Sequence, residues 1–178
     1  MPDAFLSLSA ADRREALAVA AAASGRPLHL LDKDVWLVWL LDVLFRSPFG
    51  NHLVLKGGSS LSKGYQTISR FSEDVDLTYD IRVLARDLSG PGLDPLLATR
   101  SQEKRWTKEI RSRLPVWISE QVVPLIAASL TGQDLTVTLS AEGENCFLNT
   151  RRWEDVRFPV ESSDVSLMIM PRWRDELR

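Results

Sequence analysis

Two aspartates separated by one residue, Asp74 and Asp76, lie in an apolar segment of the 178-residue chain. If that segment is a β-strand, both carboxylates point to the same face of the sheet, because side chains alternate along a strand. Two negative charges side by side repel each other unless a cation lies between them. The usual solution is a hard cation with oxygen ligands, most often Mg²⁺. The spacing therefore predicts a magnesium site at Asp74 and Asp76.

A turn of two glycines and two serines, residues 57–60 (GGSS), precedes the aspartates and follows a short apolar run. We expect the turn to open a helix, whose first backbone N–H groups lack partners within the helix and therefore suit a phosphate. Gly57, Gly58 and Ser59 are the candidate phosphate-binding residues. The turn is not a P-loop, because the order Gly-x-x-x-x-Gly-Lys-Ser/Thr is absent. The alternative is an ordinary strand-to-helix turn, but the aspartates behind it favour a site for a metal-bound nucleoside triphosphate.

Two lysines flank the turn, and each could approach a phosphate. Lys63 is expected about one turn into the helix, where the helix dipole does not favour a cation. An anionic ligand would offset that cost, so Lys63 is a candidate phosphate-binding residue, with a solvated lysine as the alternative. Lys56 is the second lysine. Arg70, just before the acidic strand, could pair with an acid or with the triphosphate.

The elements that must position these residues follow from periodicity and from turn residues. We expect helices at 10–23, with Ser9 as N-cap, and at 33–45, and a shorter helix at 60–68. Strands are expected at 53–55 and 75–79, a loop at 88–95, and a long helix at 99–130 that Pro115 and Pro124 interrupt. A β-meander at 135–139, 146–148 and 165–170 ends the chain. This order is typical of a mixed α/β or α+β domain.

Composition excludes several classes of protein. The chain is 44% hydrophobic and 26% charged, which is the balance of a folded globular protein. Its net charge of −2 argues against a stand-alone DNA-binding module, so any nucleic acid must be held by a local basic patch. No apolar run approaches the ~18 residues that cross a membrane. The lone Cys146 excludes an internal disulfide and fits a reducing cytoplasm, where we expect the protein to act.

One helix carries such a basic patch. Its cationic residues are spaced by four, four and three positions, so they form one stripe. The stripe consists of Arg100, Lys104, Lys108 and Arg111. It could hold an RNA backbone, and the alternative is a solvated helix face. Trp106, Ile110 and Leu114 lie on another face and are expected to pack inward.

Two blocks of the sequence, 56–63 (KGGSSLSK) and 70–77 (RFSEDVDL), resemble the signature of the AbiEii/AbiGii toxin family in the nucleotidyltransferase superfamily. The segment 31–40 (LDKDVWLVWL) is similar to the helix that precedes this signature. The resemblance covers about residues 31–80 and is specific there, because both blocks match with sensible spacing. It implies a polymerase-β-like core with a small mixed sheet, and magnesium-dependent transfer of a nucleotide from an NTP to an acceptor hydroxyl, with tRNA as a plausible acceptor. It also implies a toxin with an antitoxin partner.

The resemblance raises one further expectation, because the third strand of such a core normally carries a third carboxylate. The strand at 165–170 contains none, and Asp164 just before it is a weak substitute. Family members are also longer than this chain. We therefore expect one nucleotidyltransferase-like domain over residues 1–178 that is truncated at its C-terminus, as a fragment, a truncated gene product or a minimal member that needs a partner. The alternative function is a catalytically inactive nucleotide-binding or interaction domain.

Overall fold

A five-stranded mixed sheet with helices packed against it forms the fold, which is the mixed α/β class that the element order predicts. The computed structural model describes residues 2–65, 67, 74–88, 99–130, 135–140, 143, 145–150 and 165–172. Arg70, Asp164 and most of the predicted loop at 88–95 lie outside the described residues.

The described helices fall into an N-terminal group, two short helices beside the first strands, and a long helical stretch. They are α1 (Pro2–Leu6), α2 (Ala10–Ser24), α3 (Leu28–Arg46), α4 (Gly57–Ser59), α5 (Ile81–Leu84), α6 (Arg100–Trp117) and α7 (Val123–Ser129). A 3₁₀ turn covers Gly50–His52, and π-type turns cover Ser60–Gly64 and Ile118–Val122.

Local signals set most helix ends. Ser9 caps α2 as predicted, by accepting a hydrogen bond from the backbone N–H of Asp12, and Gly25 ends the helix in the left-handed conformation. Helix α3 begins at Leu28, earlier than predicted, because Pro27 fixes a backbone angle from which a helix can start directly. Near the turn, helical geometry begins at Gly57 rather than at 60, and it ends at Gly64.

Pro115 and Pro124 were expected to interrupt the long helical stretch, but the helix does not break at either proline. Helix α6 continues through Pro115, and the irregularity is the wider π-type turn that follows it at Ile118–Val122. Pro115 has no N–H to donate, so the helix loses one bond there without ending. Pro124 lies in the first turn of α7, directly after the π-type turn, at a helix position that tolerates proline.

The strands are β1 (Leu53–Lys56), β2 (Asp74–Asp80), β3 (Leu135–Leu139), β4 (Asn145–Thr150) and β5 (Val165–Arg172). Their order across the sheet is β1-β2-β5-β4-β3. The last three strands pair antiparallel in sequence order, which confirms the meander. β5 also pairs with β2, in parallel, so the meander completes the sheet beside the acidic strand.

One face of the sheet builds the core. Val75 and Leu77 of β2 and Leu167 of β5 are fully buried there, together with Leu37 and Leu40 of α3. The side chains that alternate with them on β2 and β5 must point to the other face. Helix α6 adds a smaller cluster, in which Trp106 and Ile110 pack against Ile81 and Ala85 of the segment after β2.

Candidate functional site

The two aspartates lie at the start of β2, on the sheet face opposite the core. Val75 between them is completely buried, whereas Asp74 is exposed and Asp76 partly buried. The strand and the shared face that their spacing predicts are therefore observed. The face carries both carboxylates next to each other, as a pair of ligands for one cation would require.

The environment of Asp76 opposes its negative charge. Partial burial raises the pKa of the Asp76 carboxyl above its usual value, and the negative charge of Asp74 raises it further. A cation at this position would relieve both effects. Within the described parts of the chain, no group of three or more His, Cys, Asp or Glu residues could hold a metal ion. Two carboxylates nevertheless fit Mg²⁺, which is commonly held by one or two carboxylates together with waters and substrate phosphates.

Gly57 touches the acidic strand. Its backbone has φ of 67°, a left-handed conformation that L-residues with side chains rarely adopt. A Cβ at Gly57 would lie 3.1 Å from Cγ of Asp76, and closer still to its Oδ2 atom. The turn therefore requires glycine at this position for two reasons: its backbone conformation, and the space that the Asp76 carboxylate fills. Gly58, the second glycine of the turn, lacks the positive φ of Gly57.

Ser59 connects the turn to the other aspartate. It is completely buried, and its hydroxyl donates a hydrogen bond to the backbone carbonyl of Asp74. This bond fixes the start of β2 against the turn, so Ser59 positions Asp74. Phosphate binding by Gly57, Gly58 and Ser59 stays a prediction, for which the backbone N–H groups of the turn are better donors than this hydroxyl.

The two lysines have different surroundings. Lys56 is the cross-strand neighbour of Asp76, on the same face of the sheet. Lys63 lies in the π-type turn and forms an ion pair with Asp34 of α3, and both side chains are partly buried. The structure therefore anchors Lys63 to α3, and a phosphate contact by Lys63 remains a prediction.

The strand beside the aspartates presents no acid to them. In the parallel register, Ser166 is opposite Asp74 and Met168 is opposite Asp76. Met168 and Met170 are each 38% exposed, while Leu167 and Ile169, which alternate with them, are buried. Sequence reasoning did not identify the methionines as part of this face. The alternation along β5 was visible in the sequence, but its pairing with β2 was not.

The basic stripe on α6 is exposed as predicted, and Trp106, Ile110 and Leu114 are buried on the inner face. Among the described residues, no ion pair or hydrogen bond involves the four cations of the stripe. They line a shallow open depression together with Thr107. Arg113 of the same helix differs, because it is paired with Asp87 and Glu109.

No helix among the described residues is both long enough and apolar enough to cross a membrane.

Comparison with known proteins gives one match. A family model described as nucleotidyl transferase AbiEii toxin, type IV toxin–antitoxin system, matches residues 39–152, more than half of the chain. The matched residues include the glycine turn, both aspartates and helix α6. No curated protein and no solved structure matches the chain.

Proposed function

The chain belongs to the AbiEii family of nucleotidyl transferase toxins, and we propose that it is a magnesium-dependent nucleotidyltransferase, the toxin of a toxin–antitoxin pair. The observation that carries the proposal is the contact between Gly57 and the Asp76 carboxylate. It joins the glycine turn and the acidic pair into one site, in which a triphosphate and its cation would bind side by side.

The residues present fit a magnesium ion. Asp74 and Asp76 would hold it, and when bound it would supply positive charge to the reacting phosphate and to the leaving pyrophosphate. The backbone N–H groups of the turn would donate to phosphate oxygens, because α4 begins there and the first donors of a helix have no partner within it. Lys56 lies on the same face as Asp76 and adds positive charge beside the phosphates. Together these groups would orient the triphosphate for in-line attack by an acceptor hydroxyl.

We propose an RNA as the acceptor, with tRNA as the first candidate. The chain as a whole is slightly acidic, so an RNA backbone needs a local positive surface. The stripe on α6 supplies four exposed cations that have no acidic partner among the described residues. Family membership supports an antitoxin partner. We expect the activity in the cytoplasm, because the proposed substrates, NTPs and tRNA, are found there.

The test is transfer of labelled nucleotide to bulk tRNA in the presence of Mg²⁺, with each of the four NTPs. Asp74→Asn and Asp76→Asn should each lower the rate at least 100-fold, because each removes a charged oxygen ligand. The matched control is Asp42→Asn, which removes a carboxylate that pairs with Arg46 within α3, outside the proposed nucleotide and RNA surfaces, and should keep the rate. Unchanged transfer by both site variants, with folding verified by circular dichroism, would refute the proposal.

A second candidate function is a nucleotide-binding or interaction domain without catalysis. It is favoured by Ser166 and Met168, which occupy the positions beside the two aspartates on β5 and contribute no carboxylate. Magnesium-dependent binding of NTP without transfer to any RNA would favour this function over the enzyme.

A further inference from the structure

We propose that Met168 and Met170, here named the methionine strip, bind the base of the nucleotide whose phosphates and cation occupy Gly57 and Asp76. The inference rests on the proposed function, since it assigns the opposite end of the same ligand. It concerns the part of the site that faces away from the turn, on the far side of β2 from β1.

Register places the strip next to the carboxylates. Met168 is the direct neighbour of Asp76 across the β2–β5 pair, and Met170 is the neighbour of Thr78. Adjacent strands lie about 5 Å apart, and positions two residues apart along a strand are separated by about 6.6 Å. The strip therefore begins beside the metal-binding position and leads away from it. A ribose could occupy the interval between phosphates at Asp76 and a base over Met170.

The strip has the chemistry that a base requires. Both methionines are 38% exposed on one face of β5, whereas Leu167 and Ile169, on the other face of the same strand, are buried in the core. Thioether side chains are polarizable, adapt their shape, and make favourable contacts with aromatic rings. A ligand that covers both the acidic pair and the strip must be charged at one end and flat and apolar at the other. A nucleotide has this division, whereas inorganic phosphates have only the charged end.

Thr78 gives a second, independent indication. It lies between the carboxylates and Asp80 on β2, it is 1% exposed, and its hydroxyl has no hydrogen-bond partner among the described residues. A buried hydroxyl without a partner is unfavourable in the free protein. It is the neighbour of Met170, so a base bound after a small movement of that side chain would bring ring nitrogen or oxygen atoms to it. We assign Thr78 as the polar contact at the base end of the site.

The experiment compares two ligands that share the charged end. Equilibrium titration measures the Mg²⁺ complexes of the four NTPs and of inorganic tripolyphosphate against the full chain. In the variant Met168→Gln with Met170→Gln, affinity for NTPs should fall at least tenfold, and affinity for tripolyphosphate should stay within twofold. Replacement of both by Leu keeps the apolar surface and should restore most of the NTP affinity. Val19→Gln, at an exposed apolar position of α2, is the control for a polar substitution elsewhere.

Thr78→Val separates the hydroxyl from the shape of the side chain. The variant should melt at the same or a higher temperature, because it removes a buried polar group without a partner among the described residues, and it should bind NTPs more weakly while binding tripolyphosphate equally.

The inference is overturned if the methionine variant binds NTPs like the wild type, or if it loses both ligands equally. If the wild-type chain binds neither ligand in the presence of Mg²⁺, the proposed function fails and the inference fails with it. If tripolyphosphate binding persists in a methionine variant that still binds NTPs fully, the inference alone fails and the proposed site stands.

Discussion

Replacement of Gly57 by alanine tests the contact on which the site depends. The residue has φ of 67°, a conformation that costs an L-residue roughly 1–2 kcal/mol. The new Cβ would also lie 3.1 Å from Cγ of Asp76 and closer to its Oδ2, so the carboxylate must rotate away at a cost of about 0.5–1.5 kcal/mol. We therefore expect a loss of about 1.5–3.5 kcal/mol in unfolding free energy, which lowers Tm by roughly 3–14 °C in a chain of this length.

Two other glycines divide this effect into its parts. Gly25 has nearly the same backbone conformation, with φ of 69°, but nothing lies within 4 Å of the position that a Cβ would take there. Gly25→Ala should therefore show the conformational cost alone. Gly64 lies at the end of the same helical segment with open space around it and without a positive φ, so Gly64→Ala should be neutral or slightly stabilising.

Thermal unfolding of the three variants and magnesium-dependent nucleotide transfer are the assays. Gly57→Ala should lose more stability than Gly25→Ala, and it alone should lose transfer, by at least 100-fold. In a double-mutant cycle, Asp76→Ala should make the Gly57 substitution less costly, because the carboxylate that it strikes has been removed. Equal costs for Gly57→Ala and Gly25→Ala, with transfer intact, would refute the assigned contact.

Three further predictions concern charge. In the absence of metal, Asp76→Asn should be more stable than the wild type at pH 7. The raised pKa means that the Asp76 carboxyl holds its proton more strongly in the folded protein than in the unfolded chain. The protonated carboxyl therefore stabilises the fold below pH 3.8, and this stabilisation is lost as the pH rises through the folded pKa. Thermal melts from pH 3 to 8 should show this difference growing with pH, and a constant difference would contradict it. The double variant Lys104→Gln with Lys108→Gln should weaken binding to all RNA sequences, and its affinity should depend less on salt, by about one unit of slope per lost phosphate contact. Arg113→Gln removes a cation that is already paired and should change neither quantity. If filter binding gives the same salt dependence for the double variant and the wild type, the stripe is a solvated face. Burial raises the pKa of the Cys146 thiol to about 11, so thiol reagents at pH 8 should label it only as fast as the protein unfolds, and fast labelling in the native state would contradict its burial.

Features governed by local chemistry could be predicted from the sequence. The cap at Ser9 and the shared face of Asp74 and Asp76 depend on residues only a few positions apart. The mixed α/β class, now supported by the observed sheet and by family membership, followed from the order of such local elements. The requirement for glycine at Gly57 is not local in the same way, because the space beside it is filled by a carboxylate from another strand.

Features that depend on long-range pairing could not be predicted. Lys63 was treated as a ligand or a solvated residue, and its contact with Asp34 requires the packing of the turn against α3. The parallel pairing of β5 with β2 joins strands separated by most of the second half of the chain. Alternation assigns side chains to one face or the other, but it does not identify the neighbouring strand. The position of Met168 beside Asp76 could therefore be recognised only once the register was known.

The two contacts of the glycine turn explain why a cation is the natural complement of this site. Ser59 fixes the backbone at Asp74, and Gly57 leaves room for the Asp76 carboxylate at one place only. Both carboxylates thus lie beside the same segment, and their repulsion can be reduced by protonation or by a positive group, such as the neighbouring Lys56 or a bound cation. The raised pKa of Asp76 is the first of these responses. Near neutral pH protonation becomes costly, and in the proposed function a cation with phosphate ligands would replace it, with the first backbone N–H groups of the turn as the proposed phosphate donors.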